Sequence, residues 1–387
     1  MTKTKQKQSK KEKLSFELNN SSGKFDIPLF VVTVVLVVFG IIMVYSASGY
    51  SAAHHQGNRF YFMNKQIIGA VAGFAAFLGF TLLDYKKLYK FRFAALIVSY
   101  VLLALVFIPG LGLEVYGARR WIRLPFFTLQ PSEIAKFGFI IFTAAYMSKH
   151  HDKVHKFKTI LPVLGAGSLM ALLIILEPNM SITMCVVLLM LAMLFLGGMK
   201  IKHFVIIILP VLALVPILII MEPYRMNRLT AFLNPWASPL AEGYQLIQSF
   251  YSLGSGGLFG LGLFNSRQAY LFLPFSESDF IFSIIGEELG LIGAGAVILL
   301  FIIMIARAIV ISQRAQDRFG SYLASGIAAI IAIQVLINIA VVTGSIPPTG
   351  LPLPFISAGS SSLVVFLSGI GILQSVSLRS HKSIKSL

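Results

Sequence analysis

The sequence predicts an all-α polytopic membrane protein with about ten transmembrane helices, both termini cytoplasmic and one large outer loop between helices 7 and 8. Three observations predict it. The first is composition: 57% of the 387 residues are hydrophobic and 12% are charged, where soluble domains carry about 25% charged residues, and mean hydropathy is +0.83. The second is a series of ten long apolar runs, nearly free of charge. A bilayer core of ~30 Å takes about 20 apolar helical residues per crossing. Such runs must be helices, because lipid offers no partner to an unpaired backbone group. The third is the placement of the basic residues.

The runs fall near 28–48, 64–83, 94–110, 130–147, 159–177, 180–199, 203–221, 279–304, 320–343 and 359–377. The first is too long, and too far from the start, for a cleaved signal peptide, so it is read as a retained helix. With the N-terminus inside, the cytoplasmic segments hold 23 of the 32 Lys and Arg residues, which satisfies the positive-inside rule. The expected organisation is a basic tail over 1–27, a membrane domain over 28–377 with an outer loop over 222–279, and a short cytoplasmic tail over 378–387. The net charge of +17 is then mostly topology. The stretch Thr2–Lys13 reads as disordered and suited to anionic lipid. No aromatic residues interleave with its lysines, so nucleic acid is not an expected partner. Cys185 stands alone in mid-span and reads as a packing residue, which excludes an intramolecular disulfide.

Nine basic residues defy the inside rule, and three of them cluster in the second outer loop: Gly117-Ala118-Arg119-Arg120-Trp121-Ile122-Arg123. Arginines beside a tryptophan fit an anion site, since a guanidinium grips phosphate with two parallel bonds. An interfacial anchor to lipid headgroups explains them equally well. The next run opens Gln130-Pro131-Ser132-Glu133-Ile134-Ala135-Lys136. Glu133 and Lys136 share a helix face. Ionisable groups at membrane depth are costly and point to function, with a structural ion pair as the plain alternative. Glu177-Pro178-Asn179 closes the fifth run in a tight outer turn.

The outer loop from Met221 to Asp279 is the richest segment. It begins Tyr224-Arg225-Met226-Asn227-Arg228, passes Asn234-Pro235-Trp236, and enters a short helix. There Gln245, Gln248, Ser249 and Ser252 form one polar stripe. Gly254, Gly256, Gly257, Gly260 and Gly262 follow, which suit tight turns and close approach to a ligand, or a mere flexible linker. Without a Lys-Ser/Thr ending they are not a P-loop. The loop closes on Ser278-Asp279 at the start of the eighth helix, where the dipole favours a carboxylate. Helical spacing from Asp279 reaches Ser283 and Glu287, with Glu288 beside it, a polar line descending into the membrane. Capping explains Asp279 but not the two glutamates, and paired intramembrane carboxylates also suit an ion or proton path.

The ninth run leads into Ile346-Pro347-Pro348-Thr349-Gly350-Leu351-Pro352-Leu353-Pro354-Phe355-Ile356-Ser357. Four prolines forbid a regular helix, yet the segment is apolar. Such backbone is tolerated at membrane depth only where it is buried in protein or lines a cavity. Gly359-Ser360-Ser361-Ser362 then opens the last helix, an anion-friendly start.

These motifs, in this order, resemble the SEDS family, the group of FtsW, RodA and SpoVE. The resemblance covers about residues 28–377. It rests on Gly117–Ile122 with the following Gln130–Lys136, on Phe232–Trp236, on Ser278–Gly293 and on Pro347–Ser357. It implies a ten-helix peptidoglycan glycosyltransferase that polymerises lipid II into glycan strands at the outer face of the bacterial plasma membrane, together with a class B penicillin-binding transpeptidase. The family's presumed catalytic aspartate matches Asp279. Its motif arginines match Arg119 and Arg120, the glutamate and lysine of its Gln-Pro-Ser-Glu motif match Glu133 and Lys136, and its paired glutamates match Glu287 and Glu288. Arg228, Gln245, Ser249, Ser357 and Ser361 are further candidates for substrate contact, with Ser283, Glu287 and Glu288 as a supporting polar face.

The chain departs from the family pattern at three places. Phe275-Ser276-Glu277-Ser278 stands where many members have Glu-Ala-His-Thr, Glu177-Pro178-Asn179 where many have Gln-Pro-Asp, and Ser357–Ser362 replaces a Gly-rich serine motif. The long basic tail leans toward FtsW and SpoVE over RodA. In the implied chemistry, Asp279 takes the proton of an acceptor hydroxyl. Arg119, Arg120, Lys136 or a divalent cation neutralises the departing pyrophosphate. The alternative reading is a lipid II flippase or another transporter of a lipid-linked headgroup.

Overall fold

The structure, a computed structural model, describes residues 23–115, 118–123, 128–221 and 223–380. The basic tail expected over residues 1–22 and the end of the C-terminal tail, 381–387, lie outside the described residues. Ten described helices of 14 to 34 residues fall on the ten apolar runs in order. These are α1 (Ile27–Gln56), α2 (Tyr61–Leu82), α4 (Arg92–Leu105), α5 (Pro131–Lys149), α6 (Phe157–Leu176), α7 (Met180–Leu196), α8 (Ile201–Ile220), α11 (Ile281–Arg314), α12 (Arg318–Val342) and α13 (Ser360–Leu378). Shorter helices α3 (Lys86–Lys90), α9 (Pro223–Leu233) and α10 (Tyr244–Gly256) join them. Six described helices are long and apolar enough to cross a membrane: α1, α2, α6, α11, α12 and α13.

Helix ends overrun the apolar runs where polar sequence continues the backbone ladder. α1 goes on to Gln56 and α11 to Arg314, more than two turns beyond the expected limits. α1 starts cleanly because Asp26 caps it, accepting the Leu29 N–H at 3.0 Å. The same carboxylate pairs with Arg307 of α11, and the Asp26 backbone exchanges two 2.8 Å bonds with the Gln374 amide of α13. One end of the bundle is thereby tied across three helices. α12 is the central helix, buried along most of its length between α5, α7, α11 and α13.

The all-helical expectation misses one element. The connection between α4 and α5 forms a three-stranded antiparallel sheet, β1 (Gly112–Val115), β2 (Ala118–Arg123) and β3 (Thr128–Leu129). Strand alternation buries Ala118 and Ile122 of β2 and leaves Arg119 and Arg123 exposed.

The glycines after α10 lie close against α11. That helix breaks at Gly290, where φ is +66° and ψ −167°, a conformation open only to glycine. The break strands backbone groups inside the bundle, and the glycine segment supplies their partners. Leu261 and Gly262 donate to the carbonyls of Glu287 and Glu288 at 2.9 Å, and Leu291 donates to Gly257 O at 2.9 Å. A Cβ on Gly260 would sit 2.1 Å from the Glu288 carbonyl, so the contact needs bare backbone.

The Lys and Arg bias predicts that α10 and the α11–α12 turn lie on opposite sides of the membrane. Single cysteines at exposed Ala241 and Gln313, with buried Cys185 changed to Ser, are expected to differ in labelling by an impermeant maleimide on intact cells. Ala241→Cys should react and Gln313→Cys should not; the reverse pattern would overturn the orientation.

Candidate active site

The non-helical segment 344–359 organises one end of the bundle. Leu351, Leu353, Phe355 and Ile356 are buried, so its backbone groups need protein partners. Side chains from several helices supply them. Asn338 of α12 donates to Leu351 O at 2.8 Å, Gln334 one turn away donates to Pro352 O at 3.2 Å, and Gln66 of α2 donates to Ser357 O at 3.0 Å. Ser181 at the start of α7 accepts the Gly350 N–H at 3.1 Å.

Asp279 is held against this segment. It lies in the turn before α11, not on the helix: the N-cap is Phe280, and no side chain caps it. Asn338 binds the Asp279 carbonyl at 2.9 Å with the same amide nitrogen that holds Leu351 O. Ser357 donates to Ser278 O at 2.6 Å while accepting the Leu353 N–H at 2.7 Å, and Ala358 N–H binds Glu277 O at 2.8 Å. The carboxylate lies against Gly350, where an added Cβ would stand 3.1 Å from Oδ2.

Two guanidinium groups face Asp279 from different elements. Arg228 of α9 donates to Pro348 O at 3.1 Å. Arg120 of β2 donates to the carbonyls of Glu177 and Pro178 in the α6–α7 turn. Asp279 keeps partial solvent access, yet burial pushes its carboxyl up to about 6; the Ser278 hydrogen bond, Arg228 and Arg120 pull the other way, and the Glu277 charge adds to the rise. Burial also raises Glu277.

The two motif arginines part company. Adjacent strand residues point to opposite faces, so only Arg120 turns toward Asp279. Arg119 pairs across the sheet with Glu114 at 3.1 Å, both roughly half exposed. Glu133 and Lys136 form a fully buried 2.8 Å ion pair. Lys136 also reaches Gln334 at 3.0 Å, and Ser362 donates to Glu133 at 3.1 Å. The pair thus braces the proline segment through Gln334. Ser361 donates to Thr128 O of β3.

The expected polar stripe of α10 meets the polar line of α11. Ser249 bonds Ser283 at 2.7 Å and Val342 O at 2.8 Å, and Ser252 donates to Glu287 at 3.1 Å. Gln245 reaches outward to Pro274 O at 3.1 Å. The Glu287 carboxylate also accepts Ser266 Oγ at 2.6 Å and Arg267 N at 2.9 Å, so it fastens the outer loop to α11. Among the described residues, no three His, Cys, Asp or Glu side chains gather to hold a metal ion.

Sequence reasoning passed over Asn338, Gln334, Gln66 and Gly350. Three of these are amides in otherwise apolar helices, which is itself a signal, since an unpaired amide in lipid is costly. It also underweighted Glu177, which is buried with no hydrogen-bond partner for either carboxyl oxygen among the described residues.

Comparison with known proteins places this arrangement. Residues 27–382 match the family model for FtsW, RodA and SpoVE, described as cell cycle proteins. The chain is 41% identical to stage V sporulation protein E of Bacillus subtilis, over 91% of this chain and 96% of that protein. It is 40% identical to the probable peptidoglycan glycosyltransferase FtsW of Geobacter metallireducens, over 95% and 98%. A solved structure from work on polymerization and crosslinking by a peptidoglycan synthase complex superposes with a TM-score of 0.75 at 26% identity, covering 92% of this chain and 98% of that one. RodA of Thermus thermophilus shares the fold, with a TM-score of 0.69 at 23% identity over 93% and 98%. The chain belongs to the FtsW, RodA and SpoVE family of multi-pass membrane proteins.

The state of Glu177 is directly testable. Burial pushes its carboxyl from 4.5 to about 8, against the pull of Arg120. A raised folded-state value means stability present below about 4.5 is lost as pH rises toward 8. Glu177→Gln should therefore melt like wild type near pH 4.5 and increasingly higher than wild type up to pH 8, levelling off beyond. Equal melting temperatures at pH 8 would show that the buried carboxyl carries no such cost.

Proposed function

We propose that this protein is a peptidoglycan glycosyltransferase that polymerises lipid II at the outer face of the plasma membrane, in division or sporulation, with a class B penicillin-binding transpeptidase as partner. The name of the Geobacter metallireducens relative supports the activity, that of the Bacillus subtilis relative supports a place in sporulation, and the likeness to a peptidoglycan synthase supports a crosslinking partner. The observation that carries the reading is Asp279 set between Arg120 and Arg228 under a rigid proline segment.

In this mechanism Asp279 accepts the proton of the acceptor hydroxyl as its oxygen attacks the donor's anomeric carbon. The carbon–oxygen bond to the lipid pyrophosphate breaks, and undecaprenyl diphosphate leaves with the electron pair. Direct displacement of an α-linked donor gives a β-linked strand. Arg120 and Arg228 neutralise the growing phosphate charge. A carboxyl raised to about 6 is a stronger base than an ordinary aspartate and is still mostly ionised at neutral pH. Arg119 stands apart in its pair with Glu114. Glu133, Lys136, Ser249, Ser283 and Glu287 act as supports, because each is sealed in protein contacts. That sealing also weighs against the transporter reading, since the polar line below Asp279 is closed by α10.

Purified with its partner, the protein should convert lipid II into glycan strands, and Asp279→Ala should abolish this while membrane insertion persists. Arg120→Lys should lower turnover roughly ten- to a hundredfold, the effect of losing a charged hydrogen bond of about 1.5–3 kcal/mol. Arg119→Lys should change it little. Strand synthesis by Asp279→Ala at the wild-type rate would remove that residue from catalysis.

A further inference from the structure

A second concavity lies beside the Asp279 turn and is used by nothing above. It is a cleft of about 250 Å³ where the outer third of α1 meets the loop before α11. Tyr45, Tyr50, Phe264 and Tyr270 present rings to it. Tyr50 and Tyr270 meet edge-on at 4.9 Å, and each is 49% exposed. Arg59 spreads over the Tyr45 ring, 5.5 Å from its centre. Phe264 is held toward Tyr45 by a left-handed backbone, φ +66°, a conformation rare for a bulky residue and a pointer to function where observed.

The floor is polar. Ser46 donates to Glu288, and Ser266 offers its N–H to Glu288 at 3.3 Å and its hydroxyl to Glu287 at 2.6 Å. Glu288 is fully buried, and its second oxygen has no hydrogen-bond partner among the described residues. The wall is continuous with the active site: Ser276, three residues before Asp279, donates to Ala47 O at 3.0 Å, next to Ser46.

We infer that this cleft binds sugar rings of the glycan strand, an extension that rests on the glycosyl-transfer reading above. Exposed aromatic rings pack against the apolar faces of sugars, while the half-buried Ser46 hydroxyl in the lining can accept from a sugar hydroxyl. Two buried glutamates beneath the floor oppose a phosphate, so an anionic lipid headgroup fits the site less well despite Arg59. The volume falls just short of the ~300 Å³ at which ligand pockets usually begin, enough for part of a strand and too small for a whole lipid-linked donor. Tied to the Asp279 turn, the cleft would hold the strand through successive additions.

The test uses the purified full chain and tetra-N-acetylchitotetraose, read by saturation-transfer NMR, beside strand lengths made from lipid II. Tyr50→Ala with Tyr270→Ala should weaken oligosaccharide binding about tenfold, as for loss of two ring contacts, and should shorten the strands. Tyr50→Phe with Tyr270→Phe keeps the rings and should retain most binding, which separates ring contact from misfolding. Unchanged binding and strand length in the alanine pair would overturn the inference. So would loss of co-purifying phosphatidylglycerol in Arg59→Ala with oligosaccharide binding intact, which would assign the cleft to lipid. Tyrosine-dependent oligosaccharide binding in a wild type that makes no polymer would sustain the cleft and remove the polymerase reading instead.

Discussion

One amide nitrogen joins the two parts of the site. Asn338 donates from near the C-terminal end of α12 to the carbonyls of both Asp279 and Leu351. The constraint behind it is general: buried backbone that is not helical must find partners inside the protein. The proline segment cannot make its own ladder, so Asn338, Gln334, Gln66, Ser181 and Ser357 make it from outside. Each of these bonds also fixes where an element stands. The segment is therefore a rigid template rather than a loop, and the Asp279 turn is moulded to it.

The electrostatics follow from that geometry. Pressing a carboxylate against Gly350 removes water from it and raises its proton affinity. Arg228 and Arg120 limit the rise, and both are anchored to backbone carbonyls. Charges so oriented before a substrate arrives need no reorganisation as negative charge develops. The buried Glu133–Lys136 pair belongs to the same construction one layer down, since Lys136 orients the Gln334 that holds Pro352 O. Breaking one member of such a pair leaves an uncompensated charge.

Much of this was legible in the residues. The apolar runs gave the helix order because lipid permits few alternatives. The four prolines in an apolar segment announced buried irregular backbone, and Asp279 stood out at the junction of a polar loop with a helix. What escaped depended on contacts across the fold. Arg119 and Arg120 read as a pair because they are adjacent, but a strand sends neighbours to opposite faces, and the six residues of β2 are too few to announce that strand between helices. The glycines before Asn265 suited tight turns, ligand approach or a linker alike, and their contact with the broken backbone at Gly290 of α11 shows only in the fold. Gln245, Ser249 and Ser252 formed a visible stripe, but the counterparts of the serines, Ser283 and Glu287, lay 34 and 35 residues along. Asn338 and Gln334 were hidden in a run whose average is apolar.

The proposed mechanism turns on an ionised Asp279, poised by burial, that takes the acceptor proton. The most direct measurement is the initial rate of glycan synthesis by the purified protein and its partner at subsaturating lipid II, from pH 5 to 8. Since the base acts only when deprotonated, the rate should rise through about pH 6 and then level. Asp279→Glu, if it retains activity, should move that inflection. A rate independent of pH across this range, with the complex intact throughout, would contradict this mechanism.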